Sequence, residues 1–268
     1  MLFRSDLGLG TLISEKDFNL QTSRYRYDPL GRLSAIVRPG DTDAFPSQLF
    51  DYRLGVTAPG GGLVNYVETR QLDRMPGSAG PEARDHYQIS RRYSDGLGRT
   101  LMTRSEAEPA PGLAAPRVVV TGAQLFNARQ HPRATLQPHY SAVSGTLEAE
   151  LEYEPVEAAG WRGLFDRNGA GVVAGLSSAP QTTTLHDATL RAIEVRNPDG
   201  TRRRTVYEPL LVREFDENDS DPASPHAGTP RVRLLDGLGR LVEVQELARL
   251  ADDGSLTAAV IPRSTRYT

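Results

Sequence analysis

The residues able to do chemistry in this 268-residue chain are its acids, its arginines and five histidines. His86, His131, His139, His186 and His226 show no His-x-x-x-His or His/Cys spacing that would set two imidazoles on one metal. Cysteine is absent, which removes thiolate metal sites, a cysteine nucleophile and disulfides together. No Gly-x-Ser-x-Gly elbow is present, and the separation that paired carboxylates need for acid/base work is set by a fold, not by spacing. Phe215-Asp216-Glu217-Asn218-Asp219-Ser220-Asp221 alternates oxygens like a calcium loop, but Asp221 stands where such a loop needs glycine and Ala227 where it needs glutamate. A solvated loop is the expectation there. Arg202-Arg203-Arg204 could suggest phosphate contacts, yet strand alternation would send neighbours to opposite faces and no stacking aromatics surround them, so a solvated strand is expected. Nothing in this inventory calls for a catalytic site, a cofactor or a metal, and the chain is not expected to be an enzyme.

One phrase recurs instead. Asp-x-x-Gly-Arg stands between two strand-like runs at Tyr25-Arg26-Tyr27-Asp28-Pro29-Leu30-Gly31-Arg32-Leu33, at Arg92-Tyr93-Ser94-Asp95-Gly96-Leu97-Gly98-Arg99 and at Leu234-Leu235-Asp236-Gly237-Leu238-Gly239-Arg240-Leu241. A fourth copy, His186-Asp187-Ala188-Thr189-Leu190-Arg191, keeps the aspartate and arginine but has Leu190 in the glycine place; a fifth, Asp166-Arg167-Asn168-Gly169, lacks the arginine. The chemistry of the phrase is that of a hairpin corner. The aspartate can accept hydrogen bonds from the next backbone amides, and the glycine supplies the left-handed residue that closes the turn. Leu190 would be strained in that conformation, so the corner at Asp187 is expected to adopt another turn type. Each arginine is expected to make a repeated structural contact rather than bind an anion.

The elements around these corners read as strands. Gly (25) and Pro (19) are about a sixth of the residues and fall in short clusters between brief apolar runs, as at Arg38-Pro39-Gly40-Asp41, Pro59-Gly60-Gly61-Gly62, Pro76-Gly77, Asn197-Pro198-Asp199-Gly200 and Asp252-Asp253-Gly254. Ile193 and Val195 alternate with Glu194 and Arg196, and Leu241 and Glu243 with Val242 and Val244. Leu147, Ala149, Leu151 and Tyr153 alternate with Glu148, Glu150, Glu152 and Glu154; the unbroken alternation up to Pro155 favours a strand over the short helix that Leu, Ala and Glu also permit. Its row of carboxylates would then protect an outer face or edge from pairing with another chain, the alternative being a docking stripe for a basic partner.

The chain is long enough to bury a sizeable core. With 31 basic and 34 acidic residues the net charge is −3, which gives no electrostatic reason to expect nucleic acid or anionic lipid as a partner. Lysine occurs only at Lys16. No apolar run has the length of a signal peptide near the start or of a membrane span elsewhere.

These motifs resemble the Rhs/YD-repeat toxin family, whose signature Tyr-x-Tyr-Asp-x-x-Gly-Arg-Leu is matched at every fixed position by Tyr25 to Leu33. The corner at Asp95, followed by Ala107-Glu108-Pro109 and Thr121-Gly122-Ala123-Gln124-Leu125-Phe126-Asn127, is similar in order to the B component of insecticidal toxin complexes. Gln137-Pro138-His139-Tyr140-Ser141 departs from the Tyr-x-Pro-Phe-Phe-Ser found there. The resemblance covers residues 20 to 268 loosely. It implies an all-β fold of antiparallel hairpin repeats in a curved sheet, with few or no helices, forming part of a hollow shell around a toxic C-terminal effector. The implied partners are that effector and toxin-delivery components, and the implied location is extracellular. Neither the self-cleaving segment nor the variable effector of such proteins is found in the chain. The alternative is a cell-surface repeat module that recognises carbohydrate or protein.

The sequence divides into an N-terminal segment at 1–19, a repeat and B-like region at 20–160, and a further repeat-like region at 161–268. Ser264-Thr265-Arg266-Tyr267-Thr268 lines up with Thr22-Ser23-Arg24-Tyr25-Arg26, which lead into the first complete corner, so the chain is expected to be truncated at its C-terminus, and Met1 to Ser5 fits no repeat.

Overall fold

The structure, a computed structural model, describes residues 2–58, 62–73, 87–108, 117–141, 146–154, 180–250 and 256–267. It is an all-β, antiparallel fold with two short helices among the described residues. The chain divides into two units, Met1–Ala123 with Pro138–Ala179, and Gln124–Gln137 with Pro180–Thr268. The expected boundary at 160/161 lies outside the described residues, as do the fifth corner at Asp166 and the turns at Pro76 and Asp252.

The first unit opens with β1 (Leu2–Ser5), β2 (Leu12–Lys16), β3 (Thr22–Tyr27), β4 (Leu33–Val37), β5 (Gln48–Thr57), β6 (Leu63–Leu72), β7 (Tyr87–Ser94), β8 (Thr100–Ala107) and β9 (Arg117–Thr121). Each pairs antiparallel with the next, so spatial order follows chain order. β10 (Gln124–Phe126) and β11 (Pro132–Leu136) belong to the second unit, after which β12 (His139–Tyr140) returns to pair with β9. The second unit continues with β13 (Gln181–His186), β14 (Ala192–Arg196), β15 (Arg202–Glu208), β16 (Leu211–Phe215), β17 (Arg231–Leu235), β18 (Leu241–Leu250) and β19 (Leu256–Arg266), in the sheet order β10, β11, β13 to β19.

The core of the first unit lies on one face of β6 to β9. β7 shows why: Tyr87, Ile89, Arg91 and Tyr93 are buried while Gln88 and Arg92 are exposed, the two-residue period of a strand with one covered face. Across that face the register sets Tyr93 between Tyr66 and Met102, and Arg91 between Glu68 and Arg104. The cover is a helix, α1 (Leu147–Leu151), which corrects the expected strand. Leu147 and Leu151, four apart, fall on one helical face and pack with Ile89 and Val118, whereas a strand would also have turned Ala149 inward with them. Thr146 caps the helix by accepting from the Ala149 amide, and the Glu row is divided, with Glu148 on the Arg91 guanidinium and Glu150 buried, accepting from Ser141 Oγ at 2.6 Å.

A helix of five residues is marginal by itself, and the sheet supplies what it lacks. Tyr93 donates its hydroxyl to the Leu151 carbonyl at 2.6 Å, and Arg104 Nε donates to the Glu150 carbonyl at 2.9 Å, satisfying carbonyls left open at the helix end. Burial pushes the Tyr93 phenol up to about 12. Burial alone would lower the Arg91 guanidinium, but Glu68, bonded to Arg91 Nε at 2.7 Å, raises it above its ordinary value and holds it charged.

In the second unit Ala134, Leu136, Val232 and Val244 are buried, and the strands carry many cross-strand charges. The Arg202-Arg203-Arg204 run lies on β15, exposed, with Arg202 3.9 Å from Glu194, Arg203 3.3 Å from Glu217 and Arg204 over the Phe215 ring at 4.4 Å. The acidic run is not a loop throughout. Glu217–Ser220 forms one helical turn, α2, because Asp216 and Asp219 bond reciprocally to each other's backbone amides in a capping box.

Replacing Leu151 by Ala should lower the stability of the chain in urea unfolding by about 2–5 kcal/mol, the range for a buried leucine. Tyr93→Phe should cost about 1–2 kcal/mol, since it strips a buried carbonyl of its donor; an unchanged unfolding midpoint for both would remove α1 from the core.

Candidate functional site

The corners at Asp28, Asp95, Asp187 and Asp236 share one geometry. In each, the aspartate N–H donates to the carbonyl four residues on, at 2.8, 3.0, 2.9 and 2.8 Å, and the residue three on returns its N–H to the aspartate carbonyl. The side chain then fixes the interior of the turn. Oδ1 of Asp28 accepts the amides of Leu30 and Arg32, both at 2.9 Å, and Oδ2 accepts Arg32 Nε at 2.7 Å. Asp95 does the same with Leu97, Arg99 and Arg99 Nε, and Asp236 with Leu238, Arg240 and Arg240 Nε. Gly31, Gly98 and Gly239 take the left-handed residue, with φ of 75, 79 and 77°.

The fourth corner follows the same plan, which overturns the expectation of another turn type. Leu190 adopts φ 67°, and Asp187 accepts the amides of Thr189 and Arg191 and Arg191 Nε, with an added bond from the Thr189 hydroxyl at 2.8 Å. Left-handed backbone costs a side-chain-bearing residue about 1–2 kcal/mol, which the shared hydrogen bonds of the corner offset.

A second regularity was not visible in the sequence. Just inside each corner the register slips by one residue: Arg26 faces Ala35 but Tyr27 faces Leu33, Tyr93 faces Met102 but Ser94 faces Thr100, and the slip recurs at Leu185/His186 and Leu234/Leu235. Each corner therefore carries a β-bulge, which adds local twist where the chain reverses. Sequence reasoning also missed corners without glycine or arginine. Asp17 to Gln21 and Asn127 to His131 close with the same backbone pair, through Leu20 at φ 63° and Gln130 at φ 67°. Asn127 Oδ1 accepts the amides of Arg129 and His131, so the usable signal was an Asp or Asn between two strand runs, whatever stood three residues later.

The remaining predicted residues do not behave alike. Tyr25 donates to Glu15 at 2.7 Å and Tyr27 to the Leu12 carbonyl at 2.8 Å, tying the corner to β2. The bond to Glu15 pushes the Tyr25 phenol up to about 12. Tyr93 lies two residues before its aspartate rather than one or three, so it points to the other face and joins the core under α1. Arg32 stacks over Tyr52 at 4.5 Å and Arg191 over Tyr207 at 4.2 Å, each aromatic lying on the strand next to the corner. Each of these four aspartates spends both oxygens within its own turn. An open depression of about 360 Å³ in the second unit touches one of them, lined by Asp187, Arg191, Arg204 and Tyr207 among others. The fold also brings His131 and His186 together, ring centroids 5.5 Å apart, and no group of three or more His, Cys, Asp or Glu able to hold a metal ion occurs among the described residues.

Solved structures share this fold. A crystal structure of TcdB2-TccC3 aligns with 99% of the chain at a TM-score of 0.70 and 21% identity. The chain shares its fold with a stretch of TcdB2-TccC3. A Photorhabdus luminescens Tc holotoxin pore aligns over the same 99%, with a TM-score of 0.69 and 16% identity. The chain spans 14% of the TcdB2-TccC3 chain and 16% of the holotoxin chain, and at these identities what is shared with the Tc structures is the fold. No protein-family model and no curated protein matches the chain. No helix among the described residues is long and apolar enough to cross a membrane.

The corner carboxylates titrate low. Desolvation, the largest influence at Asp28, Asp95 and Asp187, acts to raise them, but the amide, hydroxyl and guanidinium donors outweigh it; at Asp236 the Arg240 amide leads and its side chain follows. A folded pKa below the unfolded one stabilises the fold above the unfolded value, and that contribution fades as pH falls through the folded value. Thermal stability should therefore hold from neutrality down to about pH 5 and fall below about pH 4, with the fall reduced in Asp95→Asn/Asp187→Asn; a flat profile in wild type would contradict it. Leu190→Gly should raise stability by about 1 kcal/mol by removing a left-handed side chain, read as a higher urea midpoint.

Proposed function

We propose that this chain is a non-catalytic wall segment of a secreted toxin of the Rhs/YD-repeat type, helping to enclose a toxic effector and present it to toxin-delivery components. The observation that carries this reading is the alignment of nearly the whole chain with TcdB2-TccC3 and with a Tc holotoxin pore. The corner chemistry supports it. The repeated aspartates and arginines, the residues most open to a catalytic interpretation, are consumed in holding hairpins together. Antiparallel hairpins joined edge to edge satisfy their backbone polar groups sheet-wide, and a wall needs that property where a catalyst needs a converging pocket.

The gene and its full product test the proposal. The reading frame should continue past the codon for Thr268 with further Asp-x-x-Gly-Arg corners and end in a domain of unrelated sequence. In the purified full-length protein that domain should resist trypsin until denaturant opens the wall. A stop codon at that point, or immediate digestion of the terminal domain in the native protein, would refute the enclosing role.

A further inference from the structure

His131 and His186 lie far apart in the chain, and the second unit sets them face to face. β11 and β13 pair with Ala134 opposite Thr183 and Thr135 opposite Thr182; carried three residues toward the corners, that register puts His131 opposite His186. Their rings stand 5.5 Å apart, centre to centre, and both residues are half-buried. Neither corner needs an imidazole. His131 closes its turn where Arg32, Arg99, Arg191 and Arg240 close theirs, and it has no carboxylate to clamp, because the acceptor at Asn127 is an amide. His186 precedes its aspartate where Tyr27, Ser94 and Leu235 precede theirs. Apart from the contact between them, neither imidazole has a hydrogen bond or ion pair among the described residues.

We propose that His131 and His186 form a two-histidine clamp for a late first-row divalent ion of the zinc, copper or nickel class. The spacing fits such an ion. Two imidazoles bound tetrahedrally to one metal at about 2.0–2.1 Å, each nitrogen little more than about 1 Å from its ring centre, hold those centres roughly 5.2 Å apart, close to the separation found. Imidazole nitrogen suits these metals, whereas calcium and magnesium take oxygen. The backbone on both sides is already fixed. Asn127 Oδ1 accepts the His131 amide at 3.0 Å, the Asp187 amide donates to the Arg191 carbonyl at 2.9 Å, and Arg129 braces the two corners by donating to the Ala188 carbonyl at 2.5 Å. The Arg129 charge opposes a cation, so binding rests on the nitrogen donors and not on a negative field, which again favours the late metals over calcium. With two protein ligands the remaining coordination positions are open to water. An ion there would clip the β10–β11 hairpin to β13, its neighbour in the sheet, across a ladder of three residue pairs.

Calorimetric titration of the purified chain with zinc chloride should show one saturable ion per chain. His131→Gln and His186→Gln should each weaken binding at least tenfold, because a single imidazole loses the chelate, while His226→Gln, elsewhere in the second unit, should leave it unchanged. Zinc should raise the melting temperature of the wild type and leave that of His131→Gln/His186→Gln where it stands without metal. Copper(II) in place of zinc should give an electron paramagnetic resonance spectrum with hyperfine splitting from two imidazole nitrogens; if a glutamine variant fails to fold, that wild-type spectrum decides alone. The proposal is overturned by a wild type that binds no zinc at millimolar concentration, by folded variants that bind as tightly as wild type, by copper held through one nitrogen, or by calcium acting as strongly as zinc.

Discussion

One carboxylate oxygen accepting two backbone amides is the interaction on which this fold depends. When Oδ1 of Asp28 takes the amides of Leu30 and Arg32, it fixes three consecutive peptide planes and determines where the chain reverses. The paired bond between the Asp28 amide and the Arg32 carbonyl then starts the ladder of β3 and β4, and the bulge that follows sets their register. Register matters beyond the turn, since a slip of one residue would exchange the two faces of every strand that follows. The arginine is secondary. It neutralises the second oxygen and, at Arg32 and Arg191, reaches an aromatic ring on the next strand, linking a local turn to its neighbour.

A fold assembled from such corners is locally specified, and the sequence could be read to that extent. Asp28-Pro29-Leu30-Gly31-Arg32 states its turn completely, because the acceptor, the left-handed residue and the clamp lie within five positions. At Leu190 the steric preference of one residue is outweighed by the hydrogen bonds of the corner, which that residue's type does not disclose. At Asp17 and Asn127 the acceptor alone suffices, with no arginine in the turn to mark it. The bulges left no trace, since an extra residue such as Ser34 or Ile193 looks like any other strand position.

Helix α1 shows where local reading ends. Leu147-Glu148-Ala149-Glu150-Leu151 satisfies a period of two and a spacing of four equally well, and the choice is made by Ile89, Val118, Tyr93 and Arg104, which lie more than 25 residues away in the chain. The pairing of Glu68 with Arg91, and of His131 with His186, is likewise a product of sheet register and loop path, not of spacing. What the sequence leaves open is thus the contact between elements, and what it states is where each element begins and turns.

The central claim, that the aspartate acceptor and not the arginine clamp defines each corner, is tested most directly by comparing Asp95→Ala with Arg99→Ala in equilibrium urea unfolding. Asp95→Ala should cost about 1–2 kcal/mol, in the range for loss of a side chain that caps backbone amides, and clearly more than Arg99→Ala, whose partly exposed ion pair adds little. Equal losses, or a larger loss on removing the arginine, would contradict the account.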